Sequence, residues 1–206
     1  MFKDRVEAGR ILADKLSKYK GNKDVVILGI PRGGIITAKE VANVLEAPLD
    51  VVVIKKIGFP GNEEFALGAA SKDDYYIDES IHSSYGVPDS YIEKESKIKQ
   101  LEAKERYETL RGAKKPEPLQ GKIVIIIDDG VATGSTMIMA ARVIKKQKPQ
   151  KVIIAVPVGP PETIQRLNQE ANEVICLDTP QGFMAIGQFY MNFEQTTDEE
   201  AKQLLE

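Results

Sequence analysis

Two adjacent carboxylates, Asp128 and Asp129, stand directly before a run of small and hydroxyl residues, Gly130-Val131-Ala132-Thr133-Gly134-Ser135-Thr136. Side chains of these types in this order suit a phosphorylated sugar. Carboxylates accept hydrogen bonds from sugar hydroxyls or sit in the water shell of a Mg²⁺ ion, and they repel phosphate. Gly130 and Gly134 allow successive backbone N–H groups to converge on an anion, while Thr133, Ser135 and Thr136 add hydroxyl donors. A second cluster, Pro31-Arg32-Gly33-Gly34, adds a guanidinium able to grip phosphate oxygens in pairs. Lys55-Lys56 is a third source of positive charge.

These residues need elements that hold them at one place. Residues 123–127, Ile-Val-Ile-Ile-Ile, show no polar alternation and suit a parallel strand buried on both faces. A helical pattern follows (Met137, Ile138, Ala140, Ala141, Val143, Ile144), so the hydroxyl loop opens onto a helix N-terminus with its unpaired amides and positive dipole end. The same order recurs earlier, with a strand over 25–30, the Arg32 turn, and a helical pattern over 35–45. A third strand, 49–54, ends in the two lysines. Both loops would therefore lie at the carboxyl ends of parallel strands, where open α/β sheets bind ligands. Each piece alone also has a plain structural reading. Asp-Asp-Gly can be a strand-ending turn, a Thr or Ser before a helix an N-cap, and a lysine pair a solvated edge. The complete series is far more specific than its parts.

The stretch 123–136 resembles the signature of the type I phosphoribosyltransferases, in which an apolar run leads to two acidic residues and then to Thr-Gly and a hydroxyl residue. Asp128, Asp129, Thr133, Gly134 and Thr136 match. The resemblance implies a site for phosphoribosyl pyrophosphate (PRPP) with Mg²⁺. It puts Val131, Ala132, Thr133, Gly134, Ser135 and Thr136 at the 5′-phosphate. Asp128 and Asp129 become the catalytic pair, at the ribose hydroxyls and, through water, at the metal. Arg32, Gly33 and Gly34 fall at the pyrophosphate, joined by Lys55 and Lys56. Segment 57–78, rich in Gly and Pro, corresponds to a mobile hood that closes over the site, where Glu63 or Glu64 could act on the acceptor. Phe189 and Tyr190 either stack on a flat acceptor or simply pack.

The implied reaction moves ribose 5-phosphate from PRPP to a nitrogenous acceptor, a nucleobase, with release of pyrophosphate, and belongs to nucleotide metabolism. One departure bears on the acceptor. Ala132 stands where 6-oxopurine members carry an acidic residue, which disfavours hypoxanthine and guanine and leaves adenine, orotate, uracil-type or amine acceptors. Segments 58–62 and 189–200 are similar to a subgroup of predicted phosphoribosyltransferases whose acceptor the resemblance does not settle. Two other readings stay open: a PRPP-binding regulator without turnover, and a sugar-phosphate hydrolase or phosphorylase on the same scaffold.

The rest of the chain fits one domain over residues 1–206, a doubly wound, mostly parallel α/β sheet with a hood at 57–78 and a C-terminal extension at 178–206. The 206 residues are 42% hydrophobic and carry a formal charge of −3, which argues against a general nucleic-acid surface. A single histidine, His82, rules out a His-cluster metal site, and the single cysteine, Cys176, lies in an apolar run and reads as core rather than nucleophile. No signal peptide or membrane-length apolar run is visible, so a cytoplasmic protein is expected. A helix is expected over 3–20 and a hairpin near 68–77. Pro88 should open a long charged helix reaching 112, with Ile98, Leu101, Tyr107 and Leu110 inward. Its charged face is either solvated or a dimer contact, and a homo-oligomer, a dimer, is the expected assembly.

Overall fold

A computed structural model describes residues 1–112 and 115–206; the side chain of Glu64 lies outside the described part. Five strands form the main sheet: β1 (Val25–Gly29), β2 (Leu49–Val51), β6 (Ile123–Ile127), β7 (Lys151–Val158) and β8 (Glu173–Asp178). They pair in the order β2-β1-β6-β7-β8, and every pairing is parallel. β1 and β6 are buried along their whole length, which explains their unbroken apolar sequences. One face (Val26, Leu28, Val124, Ile126, Val152, Ile154) is covered by α5 (Ser135–Lys146) and by Leu167 of α6 (Pro161–Leu167). The other (Val25, Ile27, Ile125, Ile127, Ile153) packs on α1 (Arg5–Lys15) and α2 (Gly33–Leu45).

The topology decides where a ligand can sit. From β1 the chain crosses through α2 to β2 on one side, and from β6 it crosses through α5 to β7 on the other. β1 and β6 are neighbours, in register from Val25 opposite Ile123 to Gly29 opposite Ile127. Their carboxyl ends are thus the switch point of the sheet, where the two departing connections leave a crevice. The Arg32 turn and the Asp128 loop both start there.

Segment 57–78 is an antiparallel sheet of three strands, β3 (Lys55–Phe59), β4 (Asn62–Ala70) and β5 (Tyr75–Ile77). The expected hairpin is the β4–β5 pair, with Gly68 opposite Ile77. Its own small core (Ile57, Leu67, Ala70, Ile77, Val87, Ile92) continues into α4 (Asp89–Arg111). Two expectations need correction here. The core strand ends at Val51 rather than near 54, because its partner β1 ends at Gly29 and offers nothing further to pair. Lys55 and Lys56 consequently open the hood sheet instead of closing a core strand. A short helix, α3 (Glu79–Tyr85), follows β5 and was not foreseen.

Helix α4 starts after Pro88 and stops at Gly112, as its sequence suggests. Its inner face includes Tyr107 and Leu110 as expected, but not Ile98, which is 40% exposed, or Leu101, which is 57% exposed. The buried stripe runs Ile92, Ser96, Ala103, Tyr107, Leu110 at helical spacing. Small residues hold two of those positions, so apolar bulk pointed to the wrong side. The chain ends in α7 (Asp198–Leu205), whose Ala201 and Leu205 join Tyr107 and Leu110 in one cluster. The first and last segments are zipped together: the Phe2 amide donates to the Phe189 carbonyl at 2.7 Å, and the Met191 amide to the Phe2 carbonyl at 2.8 Å.

Candidate active site

The two loops at the switch point touch. A methyl group on Gly34 would lie 2.6 Å from Asp128 Oδ1 and 2.8 Å from Asp128 Cα; one on Gly33 would lie 2.2 Å from Asp129 Oδ2. At Gly34 the close atoms include backbone, so nothing larger than glycine fits there, and at Gly33 they are the side-chain ends of Asp129 and Arg5; the Arg32 turn lies directly against the acidic pair. The peptide bond between Pro31 and Arg32 is cis.

The carboxylates have different surroundings. Asp129 is 8% exposed; its Oδ2 accepts from Arg5 Nε at 2.6 Å, and its backbone carbonyl accepts from the Tyr190 hydroxyl at 2.6 Å. Arg5 is itself buried, donates to the Glu194 carbonyl at 2.8 Å, and lies over the Phe193 ring at 3.9 Å. Asp128 is less enclosed, and its Oδ1 accepts from the Asp129 amide at 2.8 Å. Burial, and then the neighbouring Asp129 charge, push the Asp128 carboxyl above the usual carboxylate range. Tyr190 is raised for the same two reasons.

The hydroxyl loop lines an open cradle of about 200 Å³ together with Asp128 and Ile186. Gly134 caps α5 at φ 73°, a conformation that favours glycine, and a methyl group there would meet Thr163 at 2.7 Å. Helix α6 holds the outer side of the loop: Thr163 donates to the Ala132 carbonyl at 2.7 Å and Arg166 to the Thr133 carbonyl at 3.2 Å. Those carbonyls are thereby turned toward α6. Ile138 is the amide that bonds back to Gly134, at 2.8 Å; of the amides before it, Ser135 N–H makes a long bond to Thr133 Oγ1 at 3.5 Å, and the first turn otherwise lacks intrahelical acceptors, a place that an anion or solvent can take. Thr133, Ser135 and Thr136 are exposed. Val131 departs from the expected role, because its amide donates to the Val158 carbonyl at 2.9 Å and its side chain is buried.

The family model for the phosphoribosyl transferase domain matches residues 3–194. The chain belongs to the phosphoribosyl transferase family. Relatives include a protein named "Putative phosphoribosyl transferase" from Mycobacterium tuberculosis, 40% identical over the whole of this chain but over only 46% of that protein. The chain thus spans about half the length of the curated relatives it matches. The crystal structure of TT1426 from Thermus thermophilus superposes with a TM-score of 0.88 at 39% identity, covering 99% of this chain and 97% of that one. A Neisseria gonorrhoeae protein solved with bound ppGpp shares the fold alone, at 17% identity and a TM-score of 0.50 over 100% of this chain and 97% of that one.

In this phosphoribosyl transferase domain the residues expected at the site do not all come together. Gly33, Gly34, Asp128, Asp129 and the 132–136 loop converge on the switch point. Arg32 stands at the same turn but is directed to α7, with Nη1 3.9 Å from Asp198 Oδ1. Lys55 and Lys56 lie on the hood sheet, and Lys55 is 3.7 Å from Glu102 of α4. Glu63 is exposed on β4, and Glu64 falls outside the described side chains. Tyr190 is 6% exposed and commits its hydroxyl to Asp129, so it cannot present a face to an acceptor; Phe189 stacks on Phe183 with centroids 5.2 Å apart. Both are packing residues in this structure. Burial pushes the Cys176 thiol up to about 11, away from the thiolate form that a nucleophile needs.

Arg5 was not anticipated. It is 124 residues from Asp129 in sequence, and an Arg near the start of an amphipathic helix reads as solvent-facing. Its one local sign is its place in α1, where it is buried beside Ala8, Gly9 and Leu12.

Proposed function

We propose that the chain is a Mg²⁺-dependent phosphoribosyltransferase that moves ribose 5-phosphate from PRPP to a nitrogenous acceptor, a nucleobase-like compound, and releases pyrophosphate. One observation carries the reading: the glycines of the Arg32 turn abut the acidic pair at the switch point, within reach of the hydroxyl cradle. A donor with phosphate groups at both ends of a ribose needs two anion loops and hydroxyl acceptors between them.

In this reading Thr133, Ser135, Thr136 and the first amides of α5 anchor the 5′-phosphate. Asp128 holds the ribose hydroxyls and favours positive charge developing at the ring. Gly33 and Gly34 bring backbone to the pyrophosphate, and Arg32 adds its charge. The acceptor nitrogen attacks the anomeric carbon as the bond to pyrophosphate breaks. Binding at the remote 5′-phosphate orients that centre without a covalent intermediate. Closure of the hood sheet keeps water out. Among the described residues no cluster of three or more His, Cys, Asp or Glu could hold a metal alone. Mg²⁺ typically binds through one or two carboxylates and substrate phosphates, and Asp128 beside a pyrophosphate loop supplies that donor set. When bound it would neutralise the leaving group.

Ala132 is exposed on the cradle and carries no acid for a purine ring nitrogen. A protein named uracil phosphoribosyltransferase from Aquifex aeolicus is 37% identical over 83 residues, which makes uracil a natural member of the acceptor panel. The test is pyrophosphate release with Mg²⁺, PRPP and adenine, uracil, orotate, hypoxanthine, guanine and simple amines. Release should require one of the first three or an amine, and Asp128→Asn with Asp129→Asn should abolish it. PRPP binding without acceptor-dependent turnover would instead indicate a regulator, and acceptor-independent release a hydrolase.

A further inference from the structure

Arg32 is the only arginine of the two anion loops, and it faces another part of the chain. Its guanidinium makes no hydrogen bond among the described residues; its nearest charge is Asp198, 3.9 Å away at the first position of α7. Asp198 is taken by Arg106 of α4, whose Nη1 and Nη2 each donate to one of its oxygens. Two guanidinium groups from two separate elements therefore converge on a single carboxylate. All three side chains remain accessible, at 48% for Arg32, 30% for Arg106 and 43% for Asp198. One turn earlier on α4, Glu102 faces Lys55 in the same manner.

The stoichiometry is informative. A carboxylate has two oxygens, and one bidentate arginine uses both. Arg32 is consequently held by charge alone, at a distance where it gains no directed bond. A diphosphate has more oxygens and more charge, and can bridge two guanidiniums that one carboxylate cannot satisfy together.

We propose that Arg106 is a second arginine of the pyrophosphate site and that Asp198 is an internal anion occupying it, displaced when a diphosphate arrives. The inference rests on the phosphoribosyltransferase reading for the identity of the anion. It makes α7 part of the site, and assigns Arg106 a binding role that its place on a charged helix conceals. Asp198 lies below the usual carboxylate range because of Arg106 first and Arg32 last, so it stays an anion at neutral pH. It is not needed to start its helix. Thr197 and Glu200 form a capping box there, with the Thr197 amide donating to Glu200 at 2.8 Å and the Glu200 amide to Thr197 Oγ1 at 3.2 Å.

The experiment is calorimetric titration of the full chain with inorganic pyrophosphate and Mg²⁺, and separately with ribose 5-phosphate. Wild type is compared with Asp198→Asn, Arg106→Ala, Arg106→Lys and the double variant Asp198→Asn/Arg106→Ala. Asp198→Asn keeps the shape and should bind pyrophosphate at least threefold more tightly, with ribose 5-phosphate unchanged. Arg106→Ala should weaken pyrophosphate at least tenfold relative to its parent, in the Asp198→Asn background too, and Arg106→Lys should recover part of the loss. If the pair is only a clasp between α4 and α7, Asp198→Asn weakens both ligands or neither, and the proposal is overturned. Equal pyrophosphate affinity of Asp198→Asn with and without Arg106 overturns the role of Arg106. Failure of wild type to bind either pyrophosphate or ribose 5-phosphate overturns the phosphoribosyltransferase reading itself.

Discussion

Asp129 is engaged by Arg5, and Asp128 is not. The signature reads as a symmetric pair, yet the buried contact at 2.6 Å gives one carboxylate an internal ion pair, and the other has none of its own among the described residues. Removing Arg5 leaves Asp129 as an uncompensated charge beside Asp128. Arg5→Ala should lower the unfolding free energy by about 3–5 kcal/mol, the usual cost of breaking a buried pair from one side. Arg5→Lys should recover part of it. Denaturant unfolding checks this, and an Arg5→Ala loss below about 1 kcal/mol, the range of surface pairs, would show that Asp129 does not need the guanidinium. Gly34 is equally exacting. An added methyl meets Asp128 Cα at 2.8 Å and the Ile127 carbonyl at 3.1 Å, which are backbone atoms that cannot swing aside. Gly34→Ala should keep the fold but part the two loops, and a displacement near 1 Å is enough to cost about 100-fold in turnover. Near-normal pyrophosphate release by that variant would remove the close approach from the argument.

Among the elements, those with an unbroken pattern were readable and those with a borrowed one were not. β1 and β6 declare themselves because a strand buried on both faces tolerates no polar residue. The helix after Pro88 does so because Pro and Gly punctuate its ends. The loops of the candidate site were legible for the same reason, since glycines and hydroxyls followed strands in an order that few other structures need. The inward stripe of α4 was hidden, because Ser96 and Ala103 are buried by close approach rather than by bulk. The end of β2 was hidden too, because it depends on where β1 stops. Asp50 shows how a polar residue enters the core unannounced: it accepts from the Val51 amide at 2.7 Å and from Tyr107 at 3.0 Å, and lies 3.0 Å from Arg111 Nε. Arg111 also donates to the Leu49 carbonyl at 3.2 Å, so this cluster binds α4 to the edge strand. Asp50→Ala strands a buried guanidinium and should cost about 3–5 kcal/mol. A thermal melt unchanged from wild type would mean that the cluster does not hold α4 in place.

At the scale of the molecule, the candidate site draws on segments far apart in the chain. Arg5 comes from α1, the Arg32 turn from the first strand, the acidic pair and cradle from the middle, Tyr190 and Asp198 from the end. The Arg32 turn and the middle contributions carry a local signal; the terminal ones exist because Phe2 pairs with the 189–191 segment and carries α1 with it. A ligand that touches both loops therefore ties the two halves of the crossover together and should stabilise the whole fold. With PRPP and Mg²⁺ at about 100 times the dissociation constant, mass action adds about 2.7 kcal/mol. For a domain of this length that corresponds to a rise in Tm of roughly 6 °C. Ribose 5-phosphate, which meets only the cradle and the acidic pair, should raise Tm at matched saturation by a similar amount but at much higher concentration, because it lacks the contacts of the Arg32 turn. An Arg32→Ala variant, which leaves the close approach of Gly34 to Asp128 intact, separates the two halves directly. It should require far more PRPP for the same rise while responding to ribose 5-phosphate nearly as wild type does, and equal loss of both responses would mean that the loops do not act as separate anion sites.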